Sequence, residues 1–471
     1  MSPAPVVVVR ADAGPRVGSG HLVRQLALAE RLAAGGAEVV FVTTGEDPRI
    51  AAAGHRGLLV PATGAEGRPW PEDAQRADAR ATVERAGGMV DVVVVDHYGL
   101  DHVWEEEVRR IAGRVVAVDD LAGRRRAVDL LVDHNWYGPG SGARYDATVP
   151  EGCTLLLGPR YALLHREYAA LRRTSVPAAQ PPRHLLVSFG GTDPAGETRT
   201  VLEALRGRPG LGVEVVVGSP SAVDAALEEL VAAVPGAELR VALPSLAPSL
   251  QRADLAIGAS GTATWERICL QVPAVVTTTA PHQSGVTRAL AEAGLTTWAG
   301  LVGEVGVAGY RDLLDRAAAG RLPVPPPLVD GYGAARVAQA VLPGPGRAAL
   351  RGAVAADAPV VVARGDDPAA WQAAHAAWSA ALGSPEEELV VVEVDEIPTA
   401  AVRVRRGSGG EAVVVPVDPG AEPAGANSTD VLDKRAAEVM AVLADRLNWR
   451  RSDDAGEPTD IGGLVLPRLD E

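Results

Sequence analysis

Short runs of β-branched residues alternate, as far as Val341, with longer stretches rich in Ala, Leu and Arg. Val6–Val9 is the first such run, and His21–Ala34 follows it with residues such as Leu22 and Leu32 at helical spacing. Continuous apolar runs of this length are typical of strands that helices cover on both faces of a parallel sheet. The alternation therefore predicts an α/β fold with doubly wound sheets.

Two breaks in this pattern predict three domains. A proline-rich stretch spans Ser175 to Pro182, and a Pro-Gly-Pro-Gly segment spans Pro343 to Gly346. We therefore expect an N-terminal Rossmann-like domain (residues 1–174), a second one (183–343) and an appended α/β domain of unknown role (347–471). Strands are predicted at Val39–Val42, Val92–Val95, Val115–Val118, Leu130–Val132, Leu185–Phe189, Val213–Val217, Leu255–Ile257 and Ala274–Val276. A closing helix is predicted at Val329–Val341, and the appended domain is predicted to hold strands Val360–Val362, Leu389–Val394 and Ala412–Val417 and helix Thr429–Leu447.

Polar side chains follow three of the predicted strands in the first domain. The segments are Asp96-His97-Tyr98, Asp119-Asp120 and Asp133-His134-Asn135. Ligands of doubly wound sheets bind outside the carboxyl ends of the strands. The three segments therefore predict a cleft at this edge.

Composition narrows the classes of partner. The 471 residues include 60 acidic and 45 basic ones, a net charge of −15, which works against nucleic-acid or anionic-membrane partners. The two cysteines, Cys153 and Cys269, are too few for a disulfide framework or a cysteine metal site. No apolar run approaches the ~18 residues of a membrane span, so we expect a soluble cytoplasmic protein.

The first glycine-rich loop joins the first strand to the first helix. Gly18-Ser19-Gly20-His21 would present free backbone N–H groups and the positive end of the helix dipole to an anion. It is not the dinucleotide fingerprint, because Val23 stands where that motif has Gly or Ala. A plain loop in which His21 caps the helix is the alternative.

Two further loops follow strands of the second domain. Gly190-Gly191-Thr192-Asp193 could hold a phosphate against backbone amides, although a tight turn with an Asp cap is the alternative. Ser260-Gly261-Thr262 opens a helix that could take a diphosphate, and Glu266, further along this helix, could accept two ribose hydroxyl protons. A helix N-terminus with a surface Glu is the alternative there, but the downstream Pro273 and Gln283 make the combination more specific.

These motifs, in this order, resemble a known family. Arg10-x-Asp12, Gly18-x-Gly20-His21-x₂-Arg24, Asp96-His97-Tyr98-Gly99, Gly158-x₂-Tyr161, Gly190–Asp193 and Ser260–Glu266 carry the resemblance. The chain resembles the nucleotide-sugar hydrolases of the pseudaminic acid pathway and the related spore-coat polysaccharide glycosyltransferase-like proteins. The resemblance extends from about residue 6 to about residue 342 and does not cover the appended region.

The resemblance implies a fold, a reaction and roles for residues. The fold is GT-B, with two Rossmann-like domains facing a cleft in which UDP lies mainly on the second. The reaction removes UDP from a 2,4-diacetamido-2,4,6-trideoxy hexose by attack of water at the anomeric carbon, with no metal and no cofactor. The implied roles are His21 at the reacting centre, Asp12 and Tyr98 in the sugar pocket, Gly190–Asp193 and Ser260–Thr262 at the diphosphate, and Glu266 at the ribose. The predicted substrate-binding set also includes Gly18, Gly20, Arg24 and Gln283.

The chemistry of His21 suits this role. An imidazole near its free pKa can take a proton from water at neutral pH, and a helix N-terminus disfavours the imidazolium. Metal coordination is not expected, because the adjacent carboxylates of Asp119 and Asp120 would point apart if the strand continued through them.

Three functions remain open. The first is hydrolysis of a UDP-sugar, and the alternative is transfer of its sugar to an acceptor in cell-surface or spore-coat polysaccharide synthesis. The third is a nucleotide-sugar-binding module whose appended region recruits a protein partner. The intact Gly18-x-Gly20-His21 motif argues against this last possibility.

Overall fold

A computed structural model describes residues 3–14, 18–65, 68–138, 141–172, 181–191, 193–326 and 328–342, and six strands between Ala348 and Leu466. The chain divides into two compact units, Met1–Pro343 and Gly344–Glu471. In the first unit the helices are α1 (Gly20–Ala34), α2 (Pro48–Ala52), α3 (Glu72–Ala86), α4 (His102–Val108), α5 (Arg166–Arg172), α6 (Glu197–Leu205), α7 (Ala225–Ala232), α8 (Ala247–Arg252), α9 (Thr262–Cys269), α10 (Ser284–Glu292), α11 (Gly306–Ala318) and α12 (Gly333–Val341).

The first sheet has seven parallel strands. They are β1 (Val6–Ala11), β2 (Glu38–Thr43), β3 (Arg56–Leu59), β4 (Val90–Asp96), β5 (Ala112–Val118), β6 (Leu130–Asp133) and β7 (Thr154–Leu157). Their order is β3-β2-β1-β4-β5-β6-β7, so the sheet winds outward in both directions from β1 and β4. The carboxyl ends of β4, β5 and β6 are therefore neighbours, as the polar strand ends require.

The second sheet repeats this plan with six parallel strands. They are β8 (His184–Ser188), β9 (Gly212–Val217), β10 (Ala237–Val241), β11 (Leu255–Ala259), β12 (Ala274–Thr278) and β13 (Thr297–Leu301), in the order β10-β9-β8-β11-β12-β13. The point where the order reverses lies between β8 and β11. The loops after these two strands are the glycine-rich segments identified in the sequence.

The two sheets exchange helices. Helix α5 packs against α8 and α9 of the second sheet, whereas α12 packs against α1 and contributes Val337 and Val341 to the first core. The exchange depends on glycine at close contacts, because a Cβ at Gly331 would lie 2.6 Å from the backbone nitrogen of Ala169. Residues 333–341, which the sequence assigned to the second domain, thus complete the core of the first.

The predicted GT-B architecture of two doubly wound domains is confirmed. Each of the nine strands predicted in this unit overlaps an observed one, and the predicted closing helix corresponds to α12. The strands not predicted are β3, β7, β10 and β13, all at or near a sheet edge. The edge strand β3, where three of four residues are exposed, lacks the continuous apolar pattern of central strands. No helix in the described parts of the chain is long and apolar enough to cross a membrane.

The second unit contains an antiparallel sheet. Its strands are β14 (Ala348–Gly352), β15 (Glu387–Val394), β16 (Ile397–Arg406), β17 (Ala412–Pro416), β18 (Arg450–Arg451) and β19 (Leu464–Leu466), in the order β14-β15-β16-β17-β19-β18. The predicted strands Leu389–Val394 and Ala412–Val417 correspond to β15 and β17. The predicted strand Val360–Val362 and helix Thr429–Leu447 lie outside the described residues.

Candidate active site

The first glycine-rich loop positions His21 at the N-terminus of α1. Gly18 has a φ of +78°, a conformation that favours glycine, and exchanges two backbone hydrogen bonds with Gly14. Helix α1 begins at Gly20, without a side-chain cap, so His21 is its second residue. His21 is only 4% exposed.

His21 lies between Asp96 and Tyr98. Its Nδ1 is 3.7 Å from Oδ1 of Asp96, beyond hydrogen-bond distance, and its ring packs edge-on against Tyr98 with 4.4 Å between centroids. Burial lowers the pKa of His21, an effect that Arg24 reinforces and Asp96 opposes. From the sequence, the helix N-terminus is expected to keep the imidazole neutral. In the structure, burial is the main cause of the lowered pKa of His21.

Arg24 is positioned by carboxylates. Its Nε and Nη2 both donate to Asp96 over 2.6 Å, and its Nη1 lies 3.4 Å from Asp120. Gln25 also donates to Asp96 over 2.9 Å. Burial alone would raise the pKa of Asp96, but Arg24 and His21 outweigh it and hold this pKa at about 2. Asp96 is therefore a fixed anion beneath His21.

Tyr98 connects the two sheets. Its hydroxyl donates to Oδ2 of Asp120 over 3.2 Å and lies 3.1 Å from Nε2 of His282, in the 3₁₀ turn Pro281–Gln283 of the second sheet. Burial raises the pKa of Tyr98, so its phenol stays protonated at neutral pH. Tyr98 thus lies where the two domains face each other, as the cleft prediction requires.

Asp12 is already satisfied by protein groups. Its carboxylate accepts from Thr44 N over 2.8 Å, and lies 2.9 Å from Arg10 and 3.3 Å from Nε2 of His97. Arg10 is held in turn by Asp78. A sugar contact from Asp12 stays a prediction, because its carboxylate is already held by Thr44, Arg10 and His97.

Asp119 and Asp120 have different partners. Asp119 pairs with Arg124 over 2.8 Å and accepts from Ala122 N, whereas Asp120 faces Arg24 and Tyr98. The two carboxylates therefore do not form a joint metal site. In the described part of the chain, no group of three or more His, Cys, Asp or Glu side chains could hold a metal ion. That the reaction needs no metal stays a prediction.

The loop after β11 brings together four predicted residues of the second domain. Ser260 Oγ donates to Oε1 of Gln283 over 2.5 Å, and a Cβ at Gly261 (φ +93°) would lie 3.0 Å from Nε2 of Gln283. Thr262 begins α9, which has no side-chain cap and so presents free N–H groups. A Cβ at Gly20 would lie 3.7 Å from Oγ1 of Thr262. The N-termini of α1 and α9 therefore face each other.

Glu266 lies on α9 about one turn beyond Thr262 and is half-buried. Burial raises its pKa, opposed by Arg267 and by a hydrogen bond with the phenol of Tyr168. Tyr168 belongs to α5, the helix exchanged from the first domain. This bond leaves further lone pairs of Glu266 for ribose hydroxyls, which stay its predicted partners.

The glycines and the aspartate of the loop after β8 have different structural roles. Gly190 (φ +88°) and Gly191 pass close to Gly218, where a Cβ would lie 2.8 Å from Cα of Gly191. The carboxylate of Asp193 accepts from the backbone nitrogens of Glu197 and Thr198, over 3.1 and 2.7 Å, so it caps α6. The alternative prediction of an Asp cap is thus the observed geometry. Thr192 lies outside the described residues.

Four side chains of the site were absent from the predicted set: Asp96, Asp120, His134 and His282. Asp96 is the last residue of β4, and Asp120 and His134 follow β5 and β6, so the polar strand ends were a signal that could have identified all three. No comparable signal marks His282, whose role depends on the approach of the second domain to Tyr98.

The fold and the site together define a class of protein. It is an α/β unit of two domains in which a buried histidine lies opposite an uncapped helix N-terminus. No protein-family profile matches the chain. The chain is similar to the spore coat polysaccharide biosynthesis protein SpsG of Bacillus subtilis (strain 168), with 25% identity over 299 residues, covering 63% of this chain and 84% of that protein. It is also 22% identical, over 279 residues, to an uncharacterized protein of Methanocaldococcus jannaschii, covering 57% of this chain and 55% of that protein.

Solved structures of glycosyltransferases also match. Arabidopsis thaliana UGT89C1 complexed with UDP has a TM-score of 0.49 and 13% identity, covering 72% of this chain and 94% of that one. MurG of Acinetobacter baumannii has a TM-score of 0.47 and 15% identity, covering 72% and 99%.

Proposed function

We propose that the chain is a sugar-nucleotide enzyme that transfers a sugar from a UDP-sugar to an acceptor hydroxyl in polysaccharide synthesis. The observation that carries this proposal is the opposition of His21 and the N-terminus of α9, with Gly20 next to Thr262. A proton acceptor and an anion site then lie on either side of one cleft. The sequence similarity to a spore coat polysaccharide biosynthesis protein supports the polysaccharide context.

In the proposed mechanism, neutral His21 accepts the proton of the attacking hydroxyl while its oxygen bonds to the anomeric carbon. The bond from this carbon to the diphosphate breaks, and its electron pair leaves with UDP. The free N–H groups of α9 would stabilise the departing negative charge. Asp96 would orient His21 if the 3.7 Å separation shortened on binding, as catalytic hydrogen bonds often do.

Hydrolysis of the same UDP-sugar is the second candidate. It is favoured by the 4% exposure of His21 and the packing of Tyr98 against its ring, because a buried base admits water more readily than a bulky acceptor. The resemblance to pseudaminic acid pathway hydrolases supports it, and a 2,4-diacetamido-2,4,6-trideoxy hexose would then be the sugar.

The test measures UDP release by the full chain from a panel of UDP-sugars, with and without polysaccharide fragments as acceptors. Release that requires an acceptor supports transfer, and equal release in water alone supports hydrolysis. Each assay is run in EDTA and in Mg²⁺, and we expect equal rates. Absence of both UDP binding and UDP release across the panel would contradict the proposal.

A further inference from the structure

Among the buried side-chain polar atoms of the described residues that have no hydrogen-bond partner, one is Oε1 of Gln25, beside Asp96, and three others belong to the cleft side of the first domain. They are Nδ1 of His21, Oδ1 of Asp120 and Nδ1 of His134, each without a partner among the described residues. They come from the start of α1 and from the ends of β5 and β6, which are adjacent in the sheet. Buried polar groups are nearly always hydrogen-bonded, so three exceptions in one cluster point to a polar ligand.

His134 is the least explained of the three. It is 3% exposed, and its ring packs edge-on at 6.3 Å from that of Trp265, on α9 of the second sheet. It therefore lies where the two domains meet. His134 interacts electrostatically with the proposed base His21 and with Arg24, Asp120 and Asp96, which also act on His21.

We propose that His134 and Asp120 together bind an uncharged hydroxyl or amide group of the sugar and so position the sugar beside His21. This inference rests on the proposed function and names the ligand group that this part of the site takes.

The chemistry of the pair excludes a phosphate as the ligand group. Asp120 Oδ1 can only accept, so its ligand partner must carry an O–H or N–H donor. Burial lowers the pKa of His134 to about 3, so its imidazole is neutral near pH 7 and adds no positive charge for an anion. Arg24 balances only one of the two carboxylates of Asp96 and Asp120, so the remaining negative charge would repel a phosphate. A sugar hydroxyl or acetamido group supplies both a donor and an acceptor at one position.

His134 acts on binding, not on proton transfer. A site built to hydrogen-bond a substrate hydroxyl discriminates against ligands that lack it, because its own polar groups would stay unpaired. His134 is thus a positioning and specificity residue, whereas His21 is the proposed catalytic base.

Two variants of similar size separate hydrogen bonding from shape. Asn at this position places a polar atom close to where Nδ1 lies, whereas Leu places a methyl group there. Calorimetry on the full chain would measure the affinity for UDP and for UDP-glucose, UDP-galactose, UDP-N-acetylglucosamine and UDP-N-acetylgalactosamine. For the UDP-sugar that the wild type binds most tightly, we expect His134→Leu to weaken binding about tenfold and His134→Asn by less than about threefold. UDP affinity should change less than about twofold in both variants.

Unchanged UDP-sugar affinity in His134→Leu, or an equal loss for UDP and the UDP-sugar, would overturn the inference. A wild type that binds no UDP would instead contradict the proposed function, and this inference with it. If the Leu variant does not fold, ¹⁵N NMR of histidine-labelled wild type replaces it. The His134 imidazole signal, assigned by its loss in His134→Asn, should shift with the UDP-sugar and stay in place with UDP alone. A signal that UDP alone shifts equally would overturn the inference.

Discussion

The two domains contribute chemically different groups to the two sides of the cleft. The first domain contributes ionisable side chains, namely the buried Asp96, His21 and Arg24 and the half-buried Asp120. Arg24 donates to Asp96 over 2.6 Å, whereas its contact with Asp120 and the contact of His21 with Asp96 are longer, at 3.4 and 3.7 Å. The second contributes glycines, hydroxyls and the uncapped N-terminus of α9, with Glu266 about one turn along that helix and His282 facing Tyr98. A network of charges can move a proton, whereas a helix N-terminus can only hold an anion. The difference suggests that reaction and nucleotide binding can be disrupted separately.

The largest expected effect comes from His21. His21→Ala removes the proposed proton acceptor and should lower kcat by about 10²–10⁴-fold. Affinity for UDP should stay nearly unchanged, because UDP is proposed to lie on the second domain. Steady-state UDP release and calorimetry measure the two quantities. Retained turnover in His21→Ala would show that His21 is not the proton acceptor. A loss of UDP affinity as large as the loss of kcat would show that the reaction and nucleotide binding do not depend on separate domains.

The reciprocal change is made at Glu266. Glu266→Ala should weaken UDP binding by about 2–4 kcal/mol, because two ribose hydroxyls would lose a charged acceptor. Saturating substrate should largely restore the rate, in contrast to His21→Ala. Glu266→Gln, which keeps the acceptor oxygen and loses the charge, should fall between the wild type and the Ala variant. Calorimetry that shows wild-type UDP affinity in Glu266→Ala would exclude Glu266 from the nucleotide site.

The central fold could be predicted because its strands are buried on both faces. Val92–Val95 and Val115–Val118 carry no polar residue, and only strands of a covered sheet tolerate that. The edge strands and the exchange of α5 and α12 were not predictable, because they depend on contacts such as Gly331 against Ala169, which have no local pattern.

In the site, the positions of the residues were easier to predict from the sequence than the hydrogen-bond partners of their side chains. Ser260, Gly261 and Gln283 meet as expected, because a loop between a strand and a helix has little freedom. Asp12 and Asp193 illustrate the limit, since both lie near the site while their carboxylates are taken up by Thr44 N and by the start of α6. The partner of a carboxylate is a tertiary property that its sequence neighbours do not reveal.

A third prediction uses pH to address the first domain alone. Since burial lowers the pKa of His21, its base form should persist below the ordinary midpoint of about 6.5. kcat/KM should therefore fall on acidification with a midpoint below pH 6.5, about tenfold per pH unit, and this limb should vanish in His21→Ala.

Asp96→Asn provides the matched control. It removes the carboxylate that opposes the lowered pKa of His21, so the midpoint should move to still lower pH. UDP affinity should show neither shift, because the second domain does not depend on this charge. A midpoint that rises in Asp96→Asn would contradict the electrostatic account of His21.

The smallest effect is expected from removing the second unit. Every residue assigned to either side of the cleft lies within Met1–Pro343, one compact unit. A chain that ends at Pro343 should therefore keep kcat and UDP affinity within about tenfold of the full chain, as UDP release and calorimetry would measure. A larger loss of kcat or of UDP affinity would mean that the second unit also contributes to catalysis or to nucleotide binding.

The position of the cut can be controlled within the same experiment. Helix α12 covers the first core with Val337 and Val341, which are at most 1% exposed, and each such buried side chain contributes about 1.5–3 kcal/mol. A chain that ends at Asp330 loses this helix and should precipitate or melt at a markedly lower temperature. Thermal denaturation of both truncated chains separates the two cases. If the two truncated chains were equally stable, the packing of α12 on the first core would not stabilise the first domain, contrary to the expectation.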